Sequence, residues 1–172
     1  MFLEMITKGI ALPIYQIPTY QYSIYITTEK DVNIPEDWEQ VYLYKDWFIT
    51  IGTDDKLCFS SFEFFEEHRD LIIKSQCVFT GEVFDINDNP HSFYHSDEIQ
   101  MPKGNYRFDV YGLKRKHPYS EIDRENGNKN YAYLFAFRKV DNDSNENLER
   151  CDNDTHIFSI EEYWEEVHNN ER

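Results

Sequence analysis

A mainly β fold is what this sequence predicts, specifically an antiparallel β-sandwich of about seven or eight strands with a short C-terminal amphipathic helix. Three observations lead there. Aromatic and β-branched runs recur along the chain with period-two alternation, the signature of half-buried strands. The punctuation between several of them is short and polar, as in hairpins. Helical spacing of apolar residues is clear only near the C-terminus.

Residues 1–18 read as an N-terminal extension, and the first strand is expected at 19–27, where Tyr20, Tyr22, Ile24 and Ile26 alternate with smaller or polar residues. The polar run "TEKDVNIPED" ends it. After Trp38 come "QVYLY", "WFITIG" and "KLCFSSFEFF", separated only by Lys45-Asp46 and Thr53-Asp54-Asp55, which predicts a meander of antiparallel strands. Residues 66–75 suit a short helix or a strand equally. Residues 76–86 read as a strand with Gly81 as a bulge or bend, closed by the turn chemistry of "NDNPH". A turn at 102–105 leads into "YRFDVYG", where Tyr106, Phe108 and Val110 alternate with Arg107 and Asp109. The loop "HPYSEIDRENGNKN" then reaches a last strand at 131–140. Residues 141–158 form an acidic connector. The helix at 159–170 opens with a capping box, Ser159 with Glu162, and aligns Ile160, Tyr163, Trp164 and Val167 on one face that should dock on the sheet. The expected organisation is one domain over 1–172, with the sandwich at 19–140.

Charge is the global outlier: 33 acids against 17 Lys plus Arg give a formal net charge of −16. Such a field repels nucleic acid and anionic lipid, whose phosphates a binder must neutralise, and it attracts cationic protein surfaces. Cys58, Cys77 and Cys151 are odd in number and far apart, which fits unpaired thiols in a reducing compartment. The N-terminal residues lack a signal-peptide pattern, and no run approaches the ~18 apolar residues of a membrane span. A cytoplasmic location is expected.

No chemistry is fixed by motif. "DNDSNENLERCD" places Asp141, Asp143 and Asn145 like the first ligands of a calcium loop, but Glu146 stands where a glycine must turn, and the flanks are not two helices. "DINDNP" has Pro90 at the equivalent point. His91 and His95 in "HSFYH" would share a helix face, yet Pro90 and a loop-like pattern argue against a metal pair. Cys58 and Cys77 sit in strand-like apolar runs without the glycine-rich or helix-starting context that activates a thiol. Phosphate-cradling motifs are absent from the sequence. No catalytic residue, metal or cofactor is therefore expected. The basic cluster "LKRKH" at 113–117 reads as a solvated hairpin end.

What the composition favours is protein recognition. Residues 141–172 carry eleven acids against two arginines. Aromatics beside carboxylates, the make-up of interface hot spots, occur in "EEYWEEV" and "PEDWEQVYLYKDW". Trp38, Asp46, Trp47, Asp54 and Asp55 are expected to meet a partner from the first half of the chain. Glu161, Glu162, Tyr163, Trp164, Glu165 and Glu166 are expected to do so from the terminal helix.

"SIYI", the tryptophan of "PEDW", the meander "WFITIGTDDKLCFSSF" and above all "MPKGNYRFDVYG" resemble the competence protein J family, small acidic inhibitors of a DNA-uptake nuclease, and related bacterial immunity proteins. The resemblance spans about residues 20–137 and implies a β-sandwich that binds and blocks a toxin or nuclease. It supplies no catalytic residue. The expected function is thus an acidic immunity or inhibitor protein that occludes the active site of a basic toxin enzyme, most simply a nuclease. The alternatives are a carboxylate-rich metal-dependent hydrolase and a structural or ligand-binding sandwich of a phage or cell assembly.

Overall fold

The computed structural model describes residues 9, 22–60, 79–84, 90–94, 96–122, 129–141, 158–161, 163 and 164. These residues are mainly β. Eight strands are described: β1 (Tyr22–Thr27), β2 (Trp38–Ile51), β3 (Lys56–Ser60), β4 (Phe79–Phe84), β5 (Pro90–Tyr94), β6 (Ser96–Gln100), β7 (Gly104–Arg115) and β8 (Tyr131–Val140). The chain forms two compact units, one from residues 1–50 and 105–172 and the other from 51–104.

The larger unit is built on a four-stranded sheet in the order β1-β8-β7-β2. β8 pairs antiparallel with β7, Phe108 opposite Phe137 and Gly112 opposite Tyr133. β1 lies parallel to β8, Tyr22 beside Tyr131 and Thr27 beside Ala136, so the sheet is mixed and not purely antiparallel as expected. A parallel neighbour needs a connection that crosses the sheet. Residues 28–37 supply it after β1, and their Val32 and Ile34 pack on one face of the sheet. The start of β2 lies by the end of β7, where the Arg115 guanidinium sits 4.8 Å from the Trp38 ring, and Thr50 near its far end bonds Asn105. β2 therefore runs antiparallel to β7.

β8 has six consecutive buried residues, 132–137, because it lies inside the sheet and both faces are covered. Its alternation is one of size. Tyr133, Phe135 and Phe137 point to one face, where Phe137 stacks on Phe108 at 4.9 Å. Ala132, Leu134 and Ala136 point to the other, joining Leu113 and Trp38 in a cluster on which Val32, Ile34, Tyr25 and Tyr111 pack. Small side chains let the crossover lie close on that face.

β2 departs from expectation at Lys45-Asp46, which was expected to separate two strands. The strand continues through it for 14 residues. Asp46 adopts a left-handed backbone, φ 63°. Tyr44 and Trp47 are three apart and would face opposite sides of an unbroken strand, yet both rings reach Phe158, at 5.3 and 5.8 Å. One residue out of step thus restores the apolar residues to a single face, the role of a β-bulge. Asp tolerates this conformation better than most residues.

In the smaller unit β3 pairs antiparallel with β6 and β4 with β5. β2 and β3, expected as neighbours in a meander, belong to different sheets. The register of β4 shifts between Phe79 and Gly81, matching the bulge expected at Gly81. β5 occupies a stretch expected as loop; Pro90 is its first residue, a position where the missing N–H does not interrupt the ladder. His91 is accordingly on a strand, and His95 lies outside the described residues, as do 66–75, most of the N-terminal extension and residues 142–157 of the acidic connector. Asp55, at φ 55°, turns the chain into β3 and accepts the Met101 N–H at its carbonyl, 2.8 Å, and the Lys103 N–H at its carboxylate.

Candidate functional site

Three features of the larger unit place chemistry-bearing side chains together. The first is an aromatic groove on the face of the sheet opposite the crossover. Tyr42 and Tyr44 stack with ring centroids 4.6 Å apart, and Tyr133 and Trp47 complete the walls. The groove has this depth because Gly112 has no side chain: a Cβ there would meet the Tyr42 ring, 2.5 Å from Cζ and 2.8 Å from Cδ1. Into it fit Phe158, Ser159 and Ile160, all buried, followed by Tyr163 against Tyr42 at 5.3 Å.

Ile160, Glu161, Tyr163 and Trp164 are helical, and the Tyr163 N–H donates to the Ser159 carbonyl at 3.1 Å. The hydroxyls of Tyr42 and Tyr133 both donate to the Phe158 carbonyl, at 2.7 and 2.8 Å. Burial pushes both phenols above the usual tyrosine range, and the neighbouring tyrosines raise Tyr42 further. The Lys114 ammonium sits 3.1 Å from the Trp164 ring centroid and 3.2 Å from a Glu39 carboxylate oxygen. The Tyr131 hydroxyl donates to Glu161 at 3.3 Å.

The second feature is an ionic cluster on the crossover side. Arg107 and Arg138 are directly opposite in the β7–β8 register. Two like charges so placed repel. Asp109 and Asp46 offset them: Arg138 bridges to Asp109 at 3.0 Å and to Asp46, while Arg107 donates to the Asp46 carbonyl at 2.7 Å. The Asp46 N–H donates in turn to Asp109, 2.9 Å. Backbone and side chain of the bulge residue are both secured. Nearby, the Tyr111 phenol is raised by burial and by the Asp109 charge, against which Arg138 acts.

The third is the acidic crossover. Glu29, Asp31, Glu36 and Asp37 are all exposed, with Lys30 the one cation among residues 28–37. Its end is clamped: the Lys116 N–H donates to the Asp37 carbonyl at 3.0 Å, and Arg115 stacks between Trp38 and Tyr119 at 4.8 and 4.6 Å. Asn130 accepts from the Tyr119 N–H and donates to its carbonyl, which ties residue 119 to the start of β8.

The residues expected to meet a partner are dispersed. Trp38 and Trp47 are 3% and 1% exposed and belong to the core. Asp46 is half-exposed with its charge compensated by Arg138. Asp54 and Asp55 are exposed at the turn before β3 in the other unit. Glu161, Tyr163 and Trp164 are brought together with Trp47 at the groove, while Glu162, Glu165 and Glu166 lie outside the described residues. Sequence reasoning missed Tyr42, Tyr44, Lys114, Tyr133 and Phe158 as groove residues. The available signal was Gly112, a lone glycine inside an aromatic strand, which marks a close approach.

Among the described residues no group of three or more His, Cys, Asp or Glu is arranged to hold a metal ion, and no helix is long and apolar enough to cross a membrane. No protein-family model matches the chain, and neither the curated proteins nor the solved structures include a match to it.

Proposed function

We propose that the protein is an acidic inhibitor of the immunity type, acting in the cytoplasm, that binds a basic toxin enzyme and occludes its active site. A nuclease is the target class that suits the charge best, because carboxylates can occupy positions shaped for substrate phosphates. The reading includes the finer architecture expected from the resemblance to the competence protein J family, a two-layer sandwich with a helix over 159–170. It assigns the chain no catalysis of its own.

The observation that carries it is the net charge of −16 together with the exposed carboxylates of Glu29, Asp31, Glu36 and Asp37 on one clamped segment. Surface charge of one sign steers an oppositely charged partner and sets the association rate more than the final affinity. A clamped segment also loses less freedom on binding than a slack one.

The test is a pull-down with the protein encoded by the adjacent gene, co-expressed and washed at low and at high salt. The expected result is a stoichiometric complex whose formation weakens as salt rises. Replacing Glu29, Asp31, Glu36 and Asp37 by lysine should slow association by about tenfold or more and flatten the salt dependence. Absence of any complex at low salt would count heavily against the inhibitor reading, and an unchanged association rate would remove the crossover from the interface.

A further inference from the structure

We propose that the loop of residues 116–122 is a self-association surface, at which a second copy of this chain docks about a two-fold axis. The proposal goes beyond the inhibitor reading and does not rest on it.

The loop carries an apolar tip. Ile24, Tyr119 and Ile122 are the large hydrophobic side chains exposed among the described residues, and two of the three lie here. Ile122 is 72% exposed and Tyr119 38%, with Pro118 exposed beside them. Such side chains scattered singly need no explanation, whereas several on one loop make a patch.

The tip is also held in place. The Tyr119 N–H donates to the Asn130 side-chain oxygen at 2.7 Å, and the Asn130 amide donates to the Tyr119 carbonyl at 3.1 Å. The Arg115 guanidinium lies 4.6 Å from the Tyr119 ring, and it is itself fixed by the Trp38 ring at 4.8 Å and the Lys129 carbonyl at 3.1 Å. A side chain already ordered loses little freedom when a partner covers it, which suits it to act as an interface anchor.

The charges around the tip select the occupant. Asp37 pairs with Arg115 at 3.5 Å and accepts the Lys116 N–H at its carbonyl, so the acidic end of the crossover and the basic end of β7 form one neighbourhood. In it Arg115, Lys116 and Lys129 balance Glu36, Asp37 and Glu121, although the chain as a whole carries −16. A uniformly basic partner would meet the lysines, and a uniformly acidic one the carboxylates. A second copy carries both signs. In a two-fold contact residue i of one copy meets j of the other and j meets i, so each cation can face a carboxylate. Two copies of this chain repel one another over a range of about 8 Å at physiological salt, and a locally neutral patch lowers that repulsion at the point of contact.

Sedimentation velocity on the full chain, over about 10–500 µM protein at about 0.15 M salt, reads the association directly. The expected result is a reversible monomer–dimer equilibrium with a dissociation constant of order 100 µM, the weak class that suits a contact smaller than about 1,000 Å2. Ile122→Ser should raise that constant about tenfold, with an unchanged urea midpoint because the side chain lies outside the core. Lys116→Glu in one variant, and Glu36→Lys with Glu121→Lys in another, should each associate more weakly than the parent. An equimolar mixture of the two variants should associate more tightly than either alone, because unlike charges again face one another. A monomer throughout the concentration range would overturn the proposal. So would a dimer that Ile122→Ser leaves unchanged, a mixture no tighter than its components, or growth beyond two copies, which a closed two-fold contact forbids.

Discussion

Replacing Gly112 by alanine should destabilise the larger unit by about 2 kcal/mol, although the same change in most strands is favourable. The added Cβ would lie 2.5 Å from Tyr42 Cζ, inside any tolerable contact. Tyr42 has little room to retreat. Its ring is 3% exposed, stacks on Tyr44 at 4.6 Å, and ends in the hydroxyl bonded to Phe158. Overpacking of this kind costs about 1–3 kcal/mol, and disturbing the phenol–carbonyl bond adds about 1. Relief of the glycine's own backbone entropy returns roughly 0.5–1 kcal/mol, leaving a net loss near 2. Urea denaturation of the variant and its parent measures this directly, with a lower midpoint and an unchanged slope. Trimming the ring in the background of the variant, Gly112→Ala with Tyr42→Leu, should cost less than the sum of the two single changes. Neutral or improved stability in the single variant would refute the account of the groove floor.

The tyrosine pair fixes a pH dependence. Folded Tyr42 and Tyr133 are raised above the unfolded value near 10, so the stability they lend is whole below pH 10 and declines above it by about 1.4 kcal/mol per pH unit per group. Urea melts between pH 9 and 12 should show a combined slope of about 2.7 kcal/mol per unit from the pair, which Tyr42→Phe should reduce by half. At the bulge, Asp46→Gly should change stability by less than about 1 kcal/mol because glycine accepts φ 63°, whereas Asp46→Val should lose about 2 kcal/mol. Equal effects would show that the ion pairs, not the backbone, set the residue. Arg115→Ala should cost about 2 kcal/mol through its two ring contacts and its bond to the Lys129 carbonyl, and Arg115→Lys should recover less than half, since an ammonium cannot stack between two rings.

Local signals were legible and long-range ones were not. β8 has the bounds its alternation predicts, and Gly81 marks an irregularity where a strand glycine should. Val32 and Ile34 gave no hint of their role, because two apolar residues in a polar run show no period. Lys45-Asp46 misled because turn chemistry and bulge chemistry use the same residues, and only the shared approach of Tyr44 and Trp47 to Phe158 tells them apart. The parallel partner of β1 was invisible, as pairing direction depends on where the chain returns. The docking face of residues 158–164 could be read from its spacing, whereas its receptor required β2, β7 and β8 to be assembled first.

Parallel pairing of Tyr22 with Tyr131 also has a consequence for synthesis. More than a hundred residues separate the two, so at translation rates of roughly 5–20 residues per second β1 waits about 5–20 s for its neighbour. Throughout that interval "YSIYIT" is an uncharged, β-prone segment with no strand to join, the composition that recruits other nascent chains. Glu29, Asp31, Glu36 and Asp37 follow it immediately and emerge from the ribosome next. Charges that flank a β-prone run hinder its association with other chains, and the carboxylates that face solvent on the crossover stand in that flanking position.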